Sequence, residues 1–465
     1  MNGLLGDRDR PLAAAQSLVG IAEVPKDPSE ESERNGSAVQ PAAGGRRDAP
    51  LRIVEGDRPF QMGARGDQFP DQELVAAAMV MSIGIQFRIL QAFGHTQHLL
   101  TEVERVANRA LALSRRIGAD TPAHFRALHG VNTFYQVRGE LPLALDLGEQ
   151  MLDMAQRLQD PELVAYGHFH VGGDLLLVGE LVAARTHLER AIALYDPQWG
   201  GPATSRRGFN CASVSLAFLG RVLWHLGYPE QALGCSERAV AIAEQASHPH
   251  SLSMTLSWSA ALHQLRGEAG RTRVVAERDL ALATEQIIPF FAAHAMVLRG
   301  WALVEEGRCE EGIAGLREGV DAYRATGANL ESPHWLTLLA EGCGKAGRIE
   351  EALDILRQGL AEVERIGIRY HEAEMHRLEG ELRLGSDKER SEVCFRRAIE
   401  IARAQQAKSW ELRAALSLAR LWQRQGKPDQ ARELLAPIYG WFTEGFELSD
   451  LAAARSLLAE LAAAA

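Results

Sequence analysis

Three histidine-bearing strings are where this sequence could do metal or acid–base chemistry. His371-Glu372-Ala373-Glu374-Met375-His376 approaches HExxH, in which two imidazoles on one helix face hold zinc and the glutamate is a general base. Here the second histidine falls five residues on, about 140° around a helix, and Met375 stands at the ligand position. In His168-Phe169-His170 the rings diverge by about 200° on a helix. His248-Pro249-His250 reads as the start of a helix, with proline setting the turn. With no third ligand nearby, all three are expected to be structural, and no metal site is expected.

Nucleophilic and phosphate chemistry find no footing either. There is no GxSxG, and no cysteine stands near a histidine in the chain. Cys211, Cys235, Cys309, Cys343 and Cys394 are odd in number, scattered and without a CxxC pair. That pattern fits a reducing cytosol and excludes a disulfide scaffold or a cysteine-based zinc site. A phosphate-cradling GxxxxGK[ST] loop fails twice. Gly344-Lys345 has Leu339 where glycine is needed and Ala346 after it, and Gly426-Lys427 has Leu421 and Pro428. Glu305-Glu306, Glu310-Glu311 and Glu350-Glu351 fall around helix ends, where acidic side chains in a first turn stabilise the dipole by about 0.3–1 kcal/mol. No catalytic residue and no cofactor are expected.

The elements that would carry such residues are helices. The chain has 465 residues, 61 acidic against 50 basic, for a net charge of −11, with 46% hydrophobic and 24% charged residues. That is the mix of a soluble globular protein, and the acidic balance argues against a nucleic-acid surface. The N-terminus has acidic residues where a signal peptide needs a basic region. The most apolar stretch, Val75 to Phe87, is too short to span a membrane. A cytoplasmic location is the expectation. Residues 1–70, rich in Gly, Pro, Ser, Arg and Asp without period, read as a disordered arm. Residues 71–465 read as amphipathic helices with no alternating strand pattern.

Self-similarity fixes the arrangement. Glycines recur at Gly139, Gly179, Gly227, Gly267, Gly307, Gly347 and Gly426, at spacings of 40, 48, 40, 40, 40 and 79, the last being two periods with a repeat hidden near Gly385. Five residues after each glycine stands a small residue: Ala144, Ala184, Ala232, Gly312, Ala352 and Ala431, with Thr272 the exception after Gly267. A glycine that ends one helix and a small residue inside the next describe a tightly packed helical hairpin. These are tetratricopeptide-like units with a period of about 40 rather than 34. The 48-residue gap is filled by the Pro/Gly-rich Tyr195–Asn210. The expected fold is an all-α superhelix of about eight or nine helix pairs, ended by a capping helix over Leu448–Ala465.

Beyond the periodicity, EAEMHRLEGELRL (Glu372–Leu384) and CFRRAIEIARAQQAKSWELRAALSLARLWQRQGKPDQARELLAPIYGWFTEGFELSDL (Cys394–Leu451) resemble the tetratricopeptide tail of large bacterial regulators. ALYDPQ, LGYPEQAL, SHPHSL and LRGWAL add to the resemblance, which covers roughly residues 75–460. In that family a class III adenylate/guanylate cyclase or DNA-binding domain precedes a STAND/AAA-type ATPase and the tail. Neither the cyclase nor the ATPase is expected in this chain, so the resemblance implies only the tail's role: protein interaction or effector sensing. A stand-alone protein and a truncated relic of a longer regulator fit equally.

The surface for such a role would be the concave face, lined by the first helix of each pair. Counting back six and three residues from the glycines gives Arg221 and Trp224, Ala261 and Gln264, Trp301 and Val304, and Arg420 and Gln423. Of these, Arg221, Trp224, Gln264, Trp301, Arg420 and Gln423 are candidate partner-binding residues, Arg and Trp being frequent interface anchors; the tryptophans could equally pack between helices. The expected partner is a protein or peptide, which could be a separately encoded ATPase or cyclase, with a small-molecule effector as the alternative. Neither a nucleic acid nor a membrane is expected as partner.

Overall fold

Each repeat glycine bends the chain at the same place in a helical hairpin. Gly139, Gly179, Gly227, Gly267, Gly307, Gly347 and Gly426 all have φ between 75° and 90°, the left-handed region that ends a helix without a Cβ clash. The computed structural model describes residues 104–105, 108–109, 111–116, 118, 120–196 and 209–463. The arm expected over residues 1–70 and most of the Pro/Gly-rich loop lie outside the described residues.

The hairpins follow in order: α1 (Pro122–Arg138) with α2 (Leu141–Leu158), α3 (Pro161–Val178) with α4 (Leu181–Ala193), and α5 (Cys211–His225) with α6 (Pro229–Gln245). Next come α7 (Pro249–Leu265) with α8 (Ala269–Glu285), α9 (Pro289–Glu305) with α10 (Cys309–Ala325), and α11 (Ser332–Lys345) with α12 (Ile349–Ile366). Then α13 (Glu372–Arg383) pairs with α14 (Lys388–Ala404) and α15 (Lys408–Arg424) with α16 (Pro428–Tyr439), and α17 (Ser449–Ala463) covers the end. Prolines at the first turns of α1, α3, α6, α7, α9 and α16 cost no hydrogen bond there and preset the helical φ. His248 caps α7, its Nδ1 accepting from the Ser251 N–H at 3.3 Å.

Close packing within the hairpins rests on small residues. Ala144, Ala184, Ala232, Ala352 and Ala431 are fully buried. Gly312 faces Gly300, and a Cβ on Gly312 would stand 2.6 Å from the Gly300 carbonyl oxygen. The pair hidden near Gly385 turns between Arg383 and Lys388, and its close contact is Gly380 against the Phe395 ring.

The two helices of a hairpin differ in how they are buried. The second helix is amphipathic: α12 buries Ala352, Leu353, Ile355, Leu356, Gly359, Val363 and Ile366 and turns Asp354, Arg357 and Gln358 to solvent. The first helices are buried nearly all round, and α5 is buried over its whole length. A helix enclosed on every side needs a second layer, and the superhelix supplies it by closing on itself.

The closure has a regular step. Backbone carbonyls at the C-terminal ends of α1, α3 and α5 are taken up ten helices further on, and that of α7 is taken up from α15, eight helices on. Asn329 N–H donates to the Val137 carbonyl at 2.8 Å, and Arg369 N–H to Leu177 at 2.8 Å. The Ser409 hydroxyl donates to Trp224, and Arg413, which also holds Asp450 of α17 at 2.6 Å, donates to Leu265 at 2.6 Å. One superhelical turn is therefore five hairpins. The loop after α16 completes it. Tyr228 makes no side-chain cap for α6, and Glu444 does so instead, its carboxylate accepting from Glu230 N–H at 2.8 Å and Gln231 N–H at 3.1 Å.

Candidate functional site

Closure buries the side chains of the first helices in a packed bore. At its centre Arg221 of α5 meets Glu331, the residue before α11. Its two terminal guanidinium nitrogens donate to the two carboxylate oxygens at 3.1 and 3.2 Å, and both side chains are 0% exposed. The guanidinium is sandwiched by aromatic rings, its carbon 4.5 Å from the Trp258 centroid and 5.0 Å from Tyr370. The Tyr370 hydroxyl donates to Glu331, and His334 Nδ1 stands 3.3 Å from the same carboxylate. The Glu331 backbone N–H donates to the Tyr323 hydroxyl at 3.0 Å.

A second shell of rings surrounds this pair. His371 stacks on His334 at 3.9 Å, and His225 lies 5.5 Å from Trp410. Trp224 and Trp410 meet edge to face, with the Arg413 guanidinium 5.1 Å from each. Burial alone would raise the Glu331 carboxyl, but the Arg221 guanidinium and the His334 ring outweigh it and hold it at about 2. Burial, with the positive charge of Arg221 alongside, holds His225 and His371 well below the usual imidazole range, so both rings are neutral at pH 7. Neither nitrogen of either ring has a hydrogen-bond partner, nor do Arg221 Nε, Trp258 Nε1, Trp335 Nε1 and His294 Nε2.

The bore brings together three of the residues counted back from the glycines. Arg221 and Trp224 lie at its centre, and Gln264 Oε1 stands 3.0 Å from His334 Nε2. Trp301 is buried beside it and donates from Nε1 to Glu341 at 2.9 Å. Ala261 and Val304 are buried as packing. Arg420 and Gln423 stand apart, Arg420 exposed on α15 and Gln423 donating to Glu460 of α17 at 3.2 Å. The face that counting places on an open groove is thus enclosed, because the turns meet. His371 and His376 diverge, the first into the bore and the second toward Glu379 at 3.8 Å.

Counting missed Glu331, His334, Tyr370, His371 and Trp410. The signal that reveals them is polarity recurring at one repeat's offset: His294, His334 and Glu374 are 40 apart, as are Tyr370 and Trp410. Trp410 Nε1 donates to the Tyr370 carbonyl at 3.0 Å across that offset. Among the described residues, no group of three or more His, Cys, Asp or Glu could hold a metal ion, and no helix is long and apolar enough to cross a membrane. Outside the bore, an open groove of about 550 Å³ runs between α6 and α8 over Leu233, Val240 and Val275, bridged by Arg278 and Glu244 at 2.7 Å.

No family model matches the chain. An uncharacterized protein of Rhizobium meliloti (strain 1021) is 24% identical over 279 residues, 59% of this chain and 27% of the relative. The chain therefore spans about a quarter of that relative's length. A solved Rap protein complexed with Competence and Sporulation Factor superposes with a TM-score of 0.55 at 11% identity, over 84% of this chain and 100% of that one. The chain is a tetratricopeptide-like superhelix. A STAND protein with a tetratricopeptide repeat sensor from Pyrococcus horikoshii gives 0.39 at 14% identity, over 72% of this chain and 52% of that one.

Proposed function

We propose that this superhelix is a non-catalytic scaffold that binds a protein or peptide partner in bacterial signalling. The observation that carries the reading is the lining of the bore, where Arg221, Trp224, Trp258, Tyr370, Trp410 and Arg413 gather the side-chain types that dominate binding hot spots. The Rap protein of the same fold was solved with a bound factor, which supports a binding role for such an array. The resemblance of residues 75–460 to the tail of cyclase and ATPase regulators supports a separately encoded enzyme of that kind as partner, in the cytoplasm. Residues 71–465 would be the binding module and residues 1–70 a disordered arm. Affinity capture with the whole chain, followed by cross-linking, tests the reading. One stoichiometric partner whose cross-links map to α5–α15 supports it, and none at any concentration defeats it.

A second reading, an effector sensor for a small molecule, draws on the unpartnered nitrogens of His225 and His371, which a small ligand would satisfy in an opened bore. A thermal-shift screen of metabolites separates the two: a saturable shift favours sensing.

A further inference from the structure

We propose that the bore is a carboxylate receptor occupied in this state by the chain's own Glu331, and that an opened array takes a carboxylate of an acidic peptide in its place. The inference rests on the peptide-binding reading above and names the chemistry of that site.

The seat has aromatic walls as well as donors. Trp258 and Tyr370 lie against the Arg221 guanidinium, 4.5 and 5.0 Å from its carbon, and restrict the aim of its forked edge. That edge, the Tyr370 hydroxyl and the His334 ring converge on one carboxylate, more partners than a surface ion pair collects. Glu331 belongs to a different hairpin from Arg221, 110 residues away. It sits in the turn before α11, so widening the bore would withdraw it from Arg221 without unfolding either helix.

The closed packing also leaves hydrogen-bonding capacity unused. Among the described residues, 14 buried side-chain polar atoms have no partner, and eight of them lie around this seat, on Arg221, His225, Trp258, His294, Trp335 and His371. Each unsatisfied buried group works against the state that buries it. The closed centre of the bore therefore carries a polar cost that opening would relieve. A carboxylate held there by its own chain can be exchanged for one from outside, with the gain of wetting those atoms assisting the opening.

The test uses the full chain and three synthetic peptides of one sequence. One ends in Glu-Glu with a free C-terminus, one in Glu-Glu amide, and one in Gln-Gln with a free C-terminus. Titration calorimetry reads affinity and small-angle scattering reads the radius of gyration. Glu331→Gln should bind the acidic peptides at least tenfold more tightly than wild type and expand. Arg221→Met should lose that binding with helicity retained. Binding of the amide form identifies a side-chain carboxylate, and binding of the Gln-Gln form a terminal one. If Glu331→Gln does not fold, Glu444→Ala serves: it loosens the closure at an exposed site and should tighten acidic-peptide binding several-fold. Equal binding of all three peptides, no binding by any variant, or an affinity indifferent to Arg221→Met and Glu444→Ala would overturn the proposal. A partner captured equally by wild type and Arg221→Met would leave the scaffold reading standing and this one refuted.

Discussion

The hydroxyl of Ser409 donates to the backbone carbonyl of Trp224, 185 residues earlier in the chain. In an open solenoid each repeat touches only its neighbours, and damage stays local. Here the contact joins hairpins a full turn apart. Ser409→Ala leaves the buried Trp224 carbonyl to the Gly227 N–H at 3.0 Å and should cost about 0.5–1.5 kcal/mol in urea unfolding. Hydrogen exchange should quicken at the end of α5 as well as in α15. Faster exchange confined to α15 would show that the turns are not mechanically joined.

Two glycines inside second helices should respond to alanine in opposite directions. A Cβ on Gly312 would stand 2.6 Å from the Gly300 oxygen and 2.7 Å from the Val304 nitrogen, both backbone atoms that cannot move aside. Gly312→Ala should destabilise by about 1–3 kcal/mol. Nothing lies within 4 Å of the same position on Gly234, inside α6. Gly234→Ala should stabilise by about 0.4–1 kcal/mol by restricting the unfolded chain. Equal melting shifts would refute the packing drawn for α9 and α10.

The central ion pair should be worth more broken than replaced. Arg221→Met alone strands Glu331 in the bore, and Glu331→Leu alone strands Arg221, each costing about 3–5 kcal/mol. The double substitution removes both charges and should lie well below the sum of the singles. An additive double-mutant cycle would mean that the two side chains do not sense each other.

Stability should peak near neutral pH. Burial holds His170, His225 and His371 well below 6.5, His250 at about 4 and His294 at about 3. Their stabilisation is complete above the unfolded value of about 6.5 and is lost as pH falls, by about 1.4 kcal/mol per unit for each ring. Two carboxyls act the other way. Burial raises Asp174 to about 7, against hydrogen bonds from Gln136 and Asn132, and raises Asp279 well above its ordinary value, against one from Ser253. These are protonated when folded, so their contribution is lost as pH rises from about 3.9 through the folded value. His124, His168, His187, His248 and His334 are lowered too and Glu305 is raised, so the rings outnumber the carboxyls: unfolding takes up protons in acid, and the raised carboxyls release them where the rings are neutral in both states. Urea midpoints from pH 5 to 8 check this, and Asp279→Asn should flatten the alkaline side.

The hairpins were legible because their requirements are local. A left-handed φ at Gly347 and a fully buried Ala352 five residues later leave a mark at a fixed spacing. Even the departure at Thr272 has a local cause: its hydroxyl donates to the Glu268 carbonyl at 3.1 Å and fits the buried slot. The closure leaves no such mark, since Asn329 and Val137 or Ser409 and Trp224 are joined only by superhelical pitch. Glu331 escaped because it lies in a connection between hairpins, outside any helix register. Arg420 and Gln423 occupy the register of Arg221 and Trp224 but fall where the array ends, so no later turn covers them. Position within a repeat is written in the sequence, whereas what stands across the bore depends on every hairpin between.

Glu444 sets an order of events on the ribosome. The first turn of α6 takes its N-terminal acceptor from a residue made 214 positions later. At synthesis rates of about 5–20 residues per second, α6 waits on the order of 10–40 s for that cap, with water on its first amides until then. Until the second turn is made, the inner helices α5 and α7, apolar on faces that it will cover, stand open to water and to chaperones. The nascent chain is thus a different object from the finished one: a spiral that closes hairpin by hairpin, from Asn329 against α1 to the loop of Glu444 against α6.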